Sequence, residues 1–163
     1  MRVKLAYGKT GLPLELPDEL DVTVVEPTFV AGLPDPQAAL RQALAAPIGA
    51  PALRQLVRPG ERVGVVFSDI TRPTPNHLIL PAILDELAAV PGVAETLFNA
   101  LGTHRPNTDA ELQRMLGAAI VERYRIVQND AFDQTTQVRV GVTARGHEAW
   151  LNAELMACDL KVL

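Results

Sequence analysis

Residues 62–75, "RVGVVFSDITRPTP", join a short continuous apolar run to a loop that carries an acid, hydroxyls, an arginine and prolines. A run such as Val63 to Phe67, without polar alternation, is typical of a strand buried on both faces of a parallel sheet. The loop after such a strand leaves the sheet at its carboxyl edge, where open α/β sheets bind ligands. This stretch therefore predicts both the kind of sheet and the edge that carries function.

The same alternation of strand and helix repeats along the middle of the chain. Apolar residues at helical spacing predict a helix within residues 75–90, and Pro81 leaves its start open because a proline either begins or kinks a helix. Thr96 to Leu101 and Tyr124 to Gln128 predict two further buried strands. Between them, Thr108-Asp109-Ala110-Glu111 predicts a capped helix start. The fold class is predicted as α/β, a parallel βαβ sheet with helices on both faces.

The regions around this core differ from it. Residues 1–33 hold short alternating stretches, the last of them at 22–25, which predict a small N-terminal β-meander. Residues 34–133 form the predicted βαβ core, opened by a helix that starts at Asp35-Pro36. Residues 134–163 are predicted to return to short strands, and the sequence ends inside a strand-like run. We therefore expect residues 1–163 to be a truncated chain or half of a larger enzyme.

Composition excludes several classes of function. The chain of 163 residues has a net charge of -4 without a block of Lys and Arg, and only 4% of it is aromatic, so a nucleic-acid partner is not expected. No signal peptide or bilayer-length apolar stretch is present, which favours a cytoplasmic protein without membrane contact. The lone Cys158 has no disulfide partner or metal-ligand spacing, and we expect a buried thiol.

The unusual polar residues follow the predicted strands, on loops that should share one edge of the sheet. The loops carry Ser68, Asp69, Thr71 and Arg72, then Thr103, His104 and Arg105, and finally Asn129, Asp130 and Asp133. Arginine binds carboxylate or phosphate bidentately, and histidine takes or gives a proton near neutral pH. If the strands are neighbours, about 4.8 Å apart, the set suits a small anionic substrate.

Other motifs and histidines give weaker signals. The chain lacks the glycine-rich fingerprints of Rossmann and P-loop nucleotide sites, the G-x-S-x-G elbow and the H-E-x-x-H zinc motif. His77 is interpreted as a capping or packing residue, and His147 lies beyond the βα repeats. The histidines do not stand at a ligand spacing from one another, so no metal site made by this chain alone is expected.

Several of these segments together resemble a known family. The stretches "SDITRPTPNHLILPAILDEL" (68–87) and "GTHRPNTDAEL" (102–112) are similar to the N-terminal domain of the lactate racemase family, the nickel-dependent racemases and epimerases of 2-hydroxy acids. The similarity extends to "YGKTGLPLELP" (7–17), "QNDAFD" (128–133) and "VGVTARG" (140–146). The D-x-T-R-P and G-x-H-R-P loops are far more specific together than either is alone.

The resemblance implies an active site between two domains and a nickel-pincer nucleotide as cofactor. By motif, Asp69 and Arg72 match the family's acid and arginine, and His104 matches one of its two catalytic histidines. His104 is then expected to take the hydroxyl proton of a 2-hydroxy acid whose carboxylate is held by Arg72 and Arg105. Asp69 and Thr71 are expected to contact the cofactor. The second histidine, the tethering lysine and the nickel ligand belong to segments beyond this chain.

The residues by themselves leave two other functions open. One is a non-catalytic carboxylate-binding module that uses Arg72 and Arg105. The other is a metal-independent hydrolase or lyase in which Asp69 and His104 serve as acid and base.

Overall fold

The computed structural model describes residues 1–163, which divide into two compact units, Met1–Gly32 and Leu33–Leu163. In the N-terminal unit, strand β1 (Arg2–Leu5) pairs antiparallel with β2 (Leu12–Glu15). The prediction of a third strand in a meander is wrong. Residues 22–25 have no partner strand and Val25 is 89% exposed, because an alternating sequence forms a strand only where its backbone groups can pair.

The larger unit is built on a parallel sheet. Its strands are β3 (Arg62–Ser68), β4 (Ala94–Ala100), β5 (Arg125–Gln128) and β8 (Leu160–Val162), in the order β5-β4-β3-β8. β3 pairs with β4 along its whole length, with Phe67 opposite Asn99 and Ser68 opposite Ala100. The predicted α/β class is confirmed, and the strand-like run at the end of the sequence joins the sheet as β8.

Helices and one antiparallel hairpin cover this sheet. The hairpin consists of β6 (Gln137–Val142) and β7 (Glu148–Asn152), and the helices are α1 (Pro36–Ala45), α2 (Leu53–Leu56), α3 (Asn76–Ala88), α4 (Asp109–Leu116), α5 (Ala118–Arg123) and α6 (Ala153–Met156). None of these helices is both long and apolar enough to cross a membrane.

The direction of chain travel explains which face each helix covers. The chain steps from β3 to β4 to β5 in one direction, so right-handed crossovers place α3, α4 and α5 on the same face. There, Val63, Val65 and Leu97 pack in one buried cluster with residues of these helices. From β5 the chain crosses the sheet in the opposite direction to reach β8 beside β3, so α6 covers the opposite face. A Cβ on Gly64 of β3 would lie 2.7 Å from the Leu155 side chain of α6, so a larger residue would require that side chain to move.

Helix ends follow the predicted capping chemistry. Asp35 accepts a hydrogen bond from the N–H of Ala38 at 2.9 Å, and Thr108 with Glu111 forms the predicted capping box of α4. The question that Pro81 left open is answered, since α3 begins at Asn76 and Pro81 lies inside it. The expectation of a buried Cys158 is wrong. Its side chain is half-buried, because the short α6 covers only part of the sheet around it.

Candidate active site

The loop after β3 folds around the carboxylate of Asp69. Asp69 is 4% exposed, and its Oδ1 accepts hydrogen bonds from the Thr71 N–H at 3.1 Å and the Thr71 hydroxyl at 2.7 Å. The Ser68 hydroxyl donates to Thr74 Oγ1 at 2.8 Å, and the buried amide of Asn76 donates to the main-chain oxygen of Ser68 at 3.1 Å. Because both ends of the loop are held, the direction of the second Asp69 oxygen is fixed.

That second oxygen contacts His104 on the loop after β4. The distance from His104 Nδ1 to Asp69 Oδ2 is 2.5 Å. Burial raises the pKa of Asp69, but hydrogen bonds from Thr71 and His104 outweigh it and hold the pKa below its ordinary value. Since a carboxylate only accepts, Nδ1 carries a proton, and whenever the ring is neutral its lone pair is on Nε2. The His104 side chain is 49% exposed, so the ring is open to a ligand.

The two arginines at this edge have different surroundings. The guanidinium of Arg105 donates to both carboxylate oxygens of Glu111, each at 2.8 Å, and also to the main-chain oxygen of Pro106. Arg105 and the N–H of Thr108 hold the pKa of Glu111 far below its ordinary value. The Arg72 side chain is exposed and makes no hydrogen bond or ion pair, while its N–H donates to the Asp69 main-chain oxygen at 3.1 Å. Arg72 is therefore the arginine with a free guanidinium.

The acids of the loop after β5 bond within their own loop. Asp130 accepts from the Phe132 N–H at 2.9 Å, and Asp133 accepts from the N–H and hydroxyl of Thr135 at 2.9 and 2.6 Å. Neither acid contacts Asp69 or His104. The third loop instead forms one wall of a cleft of about 300 Å³, in which Asn129, Asp130 and Phe132 face Thr103, His104 and Arg105.

Three amides under the His104 loop were missed by the sequence reasoning. Asn99 and Asn107 are buried, and Gln128 is half-buried beside them. The available signal was an asparagine inside the apolar run Thr96 to Leu101, because an amide in a buried strand must find hydrogen-bonding partners.

The residues present do not fit a nickel-binding set. Nowhere in the chain do three or more His, Cys, Asp or Glu side chains come together in an arrangement that could hold a metal ion. Asp69 and His104 bond to each other, while His77 and His147 are exposed and contact neither of them. The ligand set for such a metal is not provided by these residues.

Fold and site together define a class of protein. This is an α/β domain that presents an Asp–His pair and a free arginine at the carboxyl edge of a parallel sheet, an arrangement suited to proton transfer on a small anion. The family described as the lactate racemase N-terminal domain matches residues 7–163, and the chain belongs to that family.

Individual relatives agree with this assignment. The chain is 29% identical to a lactate racemase of Lactiplantibacillus plantarum and 27% identical to one of Thermoanaerobacterium thermosaccharolyticum, in each case over 98% of the chain and 38% of the relative. The solved lactate racemase apoprotein of Thermoanaerobacterium thermosaccharolyticum superposes with a TM-score of 0.81 at 26% identity, over 99% of this chain and 38% of that one. The chain thus spans well under half of the length of these relatives.

Proposed function

We propose that this chain is the N-terminal catalytic part of a lactate racemase-like enzyme that interconverts the stereoisomers of a small 2-hydroxy acid. The observation that carries the proposal is the contact of 2.5 Å between buried Asp69 and half-exposed His104, on a loop edge that also carries the free Arg72. Because the chain spans 38% of its lactate racemase relatives, we propose that a C-terminal domain supplies the rest of the site.

Substrate binding is proposed to depend on Arg72. A guanidinium binds a carboxylate through two parallel hydrogen bonds, which fix both the position and the plane of the anion. The Arg72 side chain has no hydrogen-bonding partner within the chain, so it can form these two hydrogen bonds with a substrate carboxylate. Arg105 would have to leave Glu111 to do the same, and it is therefore the weaker of the two candidates.

Proton transfer is proposed to depend on His104. Asp69 holds the proton on Nδ1, so Nε2 is the atom that accepts the hydroxyl proton of the substrate. The imidazolium formed in this way gains a charge-assisted hydrogen bond to the carboxylate of Asp69. Racemisation then requires the carbon–hydrogen bond to be remade on the opposite face of the 2-keto acid, where a second histidine, proposed to lie outside this chain, supplies the proton to the oxygen.

The complete protein is proposed to use a nickel-pincer nucleotide, which would accept and return the hydride of the substrate carbon. Since this chain provides no nickel-binding set, the metal ligands are proposed to lie outside it. Asp69 and Thr71 are the proposed contacts of this chain with the nucleotide. The Thr71 hydroxyl donates its proton to Asp69, and its oxygen can still accept a hydrogen bond.

The proposal is tested by chiral analysis of lactate and larger 2-hydroxy acids, each supplied as a single enantiomer to the longest natural form of the protein. His104→Ala should lower kcat by roughly a thousandfold, the usual contribution of a positioned base. His147→Ala is the matched control, because His147 is exposed on the β6–β7 turn, and its rate should match the wild type. Undiminished racemisation by His104→Ala would contradict the role given to His104.

A further inference from the structure

The His104 loop is attached to the domain at two buried points. Leu101 is 2% exposed and Asn107 is 5% exposed, while residues 102–106 between them are exposed. Besides the bond between His104 and Asp69 and the pairing of Arg105 with Glu111, the position of the imidazole depends on how these two points are held. Leu101 directly follows β4, so its position is set by the sheet.

Asn107 is held through its main chain by the side chain of Gln128. Gln128 Oε1 accepts from the Asn107 N–H at 2.7 Å, and Gln128 Nε2 donates to the Asn107 main-chain oxygen at 2.9 Å. One amide side chain thus satisfies both main-chain groups of a single residue, as a neighbouring strand would. Gln128 is the last residue of β5, so this contact ties the loop after β4 to the end of the adjacent strand.

The Asn107 side chain adds a second attachment. Its Oδ1 accepts from Asn99 Nδ2 at 2.8 Å, and its Nδ2 donates to Glu111 at 3.3 Å. Asn99 is fully buried, and its own Oδ1 has no hydrogen-bonding partner. A buried acceptor without a partner is destabilising, so the network is not fully satisfied.

We infer that Gln128 is a positioning residue for His104. By holding both main-chain groups of Asn107, Gln128 keeps the His104 imidazole facing the Asp69 carboxylate on the neighbouring loop. The inference deepens the proposed function and rests on it for the role of His104 as base. Without Gln128, the main chain of Asn107 is no longer held, and the end of segment 102–106 is attached only through the side chains of Asn107 and Arg105. The imidazole then samples positions in which Nδ1 no longer faces Asp69 Oδ2.

The first test is the tautomer of His104, measured by ¹⁵N NMR of the imidazole nitrogens in the 163-residue chain at neutral pH. The wild type should hold the proton on Nδ1. Gln128→Met keeps the side-chain length but loses both hydrogen bonds to the Asn107 main chain and a longer one of 3.4 Å from Asn99 Nδ2, and it should populate both tautomers. Gln113→Met is the matched control, because Gln113 is exposed on α4 and its side chain makes no hydrogen bond. A single Nδ1-protonated tautomer in Gln128→Met would overturn the inference.

A second variant separates positioning from loss of folding. Gln128→Glu keeps an acceptor for the Asn107 N–H but loses the N–H donor to the Asn107 main-chain oxygen. Its mixture of His104 tautomers should therefore lie between those of the wild type and Gln128→Met. Thermal unfolding of each variant is recorded alongside. A graded tautomer response in folded variants supports positioning, and equal tautomer populations in wild type and Gln128→Glu count against it.

The second test is kinetic and uses the longest natural form of the protein. Gln128→Met should lower kcat for racemisation by roughly tenfold to a hundredfold, as expected for a displaced catalytic group, with KM within about twofold of the wild type. An unchanged kcat would overturn the inference. If the wild type itself does not racemise 2-hydroxy acids, the proposed function fails, and the tautomer measurement still decides whether Gln128 positions His104.

Discussion

Two aspartates of this chain lie in separate turns of the same local type but have different partners. Asp69 and Asp133 are each followed two residues later by a threonine, Thr71 and Thr135, and each accepts its N–H and hydroxyl on Oδ1. Asp69 is buried and its Oδ2 contacts His104. Asp133 is half-buried, its Oδ2 has no partner, and it caps a short 3-10 turn.

Topology accounts for the difference. β3 and β4 are adjacent and parallel, and they end in register with Ser68 opposite Ala100, so the loops after them must meet. Asp69 directly follows β3, whereas Asp133 lies beyond the end of β5, which is an edge strand. An Asp-x-Thr turn is thus a local structure that any loop can use. It becomes a candidate catalytic element where the sheet places an imidazole beside its free oxygen.

The largest expected effect comes from exchanging each aspartate for asparagine. In Asp69→Asn the amide donates to His104 Nδ1 and moves the ring proton to Nε2, which removes the lone pair that would accept the substrate proton. We expect kcat for racemisation by the longest natural form to fall by roughly a thousandfold or more. Asp133→Asn should retain the wild-type rate. Comparable losses in both variants would mean that the two turns do not differ in function.

A smaller effect is expected when the threonines are changed to valine, which removes the hydroxyl donor but keeps the side-chain shape. Thr71→Val leaves Oδ1 of a buried carboxylate with only the main-chain N–H, and should lower the free energy of unfolding by about 1–3 kcal/mol. It should also lower kcat, because the Asp69 carboxylate is then held by one hydrogen bond fewer. In Thr135→Val water replaces the hydroxyl, so denaturant unfolding and the rate should both match the wild type.

The smallest expected effect is on the pH dependence of stability. Burial raises the pKa of Asp69, but the hydrogen bonds from Thr71 and His104 outweigh it, and the folded-state pKa lies below the ordinary 3.8. The unfolded state therefore binds more protons in this range, and stability rises with pH through it. The contribution is complete above the ordinary pKa and is lost as the pH falls through the folded-state pKa.

Urea unfolding at a series of acidic pH values measures this contribution. Asp69→Asn should show a flatter decline of stability below about pH 4 than the wild type. Thr135 likewise lowers the pKa of Asp133, so Asp133→Asn should flatten the curve as well. The effect of Asp133→Asn should be smaller, because half-buried Asp133 is more accessible to water than Asp69, and water screens its carboxylate. Equal slopes for wild type and Asp69→Asn would show that Asp69 titrates normally.

Sequence patterns predicted the parts of the fold that depend on local chemistry. The cap at Asp35, the capping box at Thr108 and the apolar runs of β3 and β4 each carry their own signal, and all are found. Residues 22–25 carry a strand signal but lack a partner, which no local pattern reveals. α5 was missed because it starts at Ala118 directly after Gly117, the residue that ends α4.

The sequence predicted which loops of the site come together, but not the side-chain pairings that depend on tertiary contacts. Strand order brought Asp69 and His104 to one edge, and their contact agrees with the predicted convergence of the first two loops. The pairing of Arg105 with Glu111 depends on where α4 begins relative to the loop, so it was not visible in the spacing. Likewise, the hydrogen bonds between Gln128 and Asn107 depend on the register of β4 against β5.

The central claim is that Asp69, and not its local counterpart Asp133, fixes the protonation of His104. The most direct measurement is ¹⁵N NMR of the His104 imidazole at neutral pH in the wild type, Asp69→Asn and Asp133→Asn. We expect a proton on Nδ1 in the wild type and in Asp133→Asn, and a proton on Nε2 in Asp69→Asn. A His104 tautomer that is the same in all three proteins would contradict it.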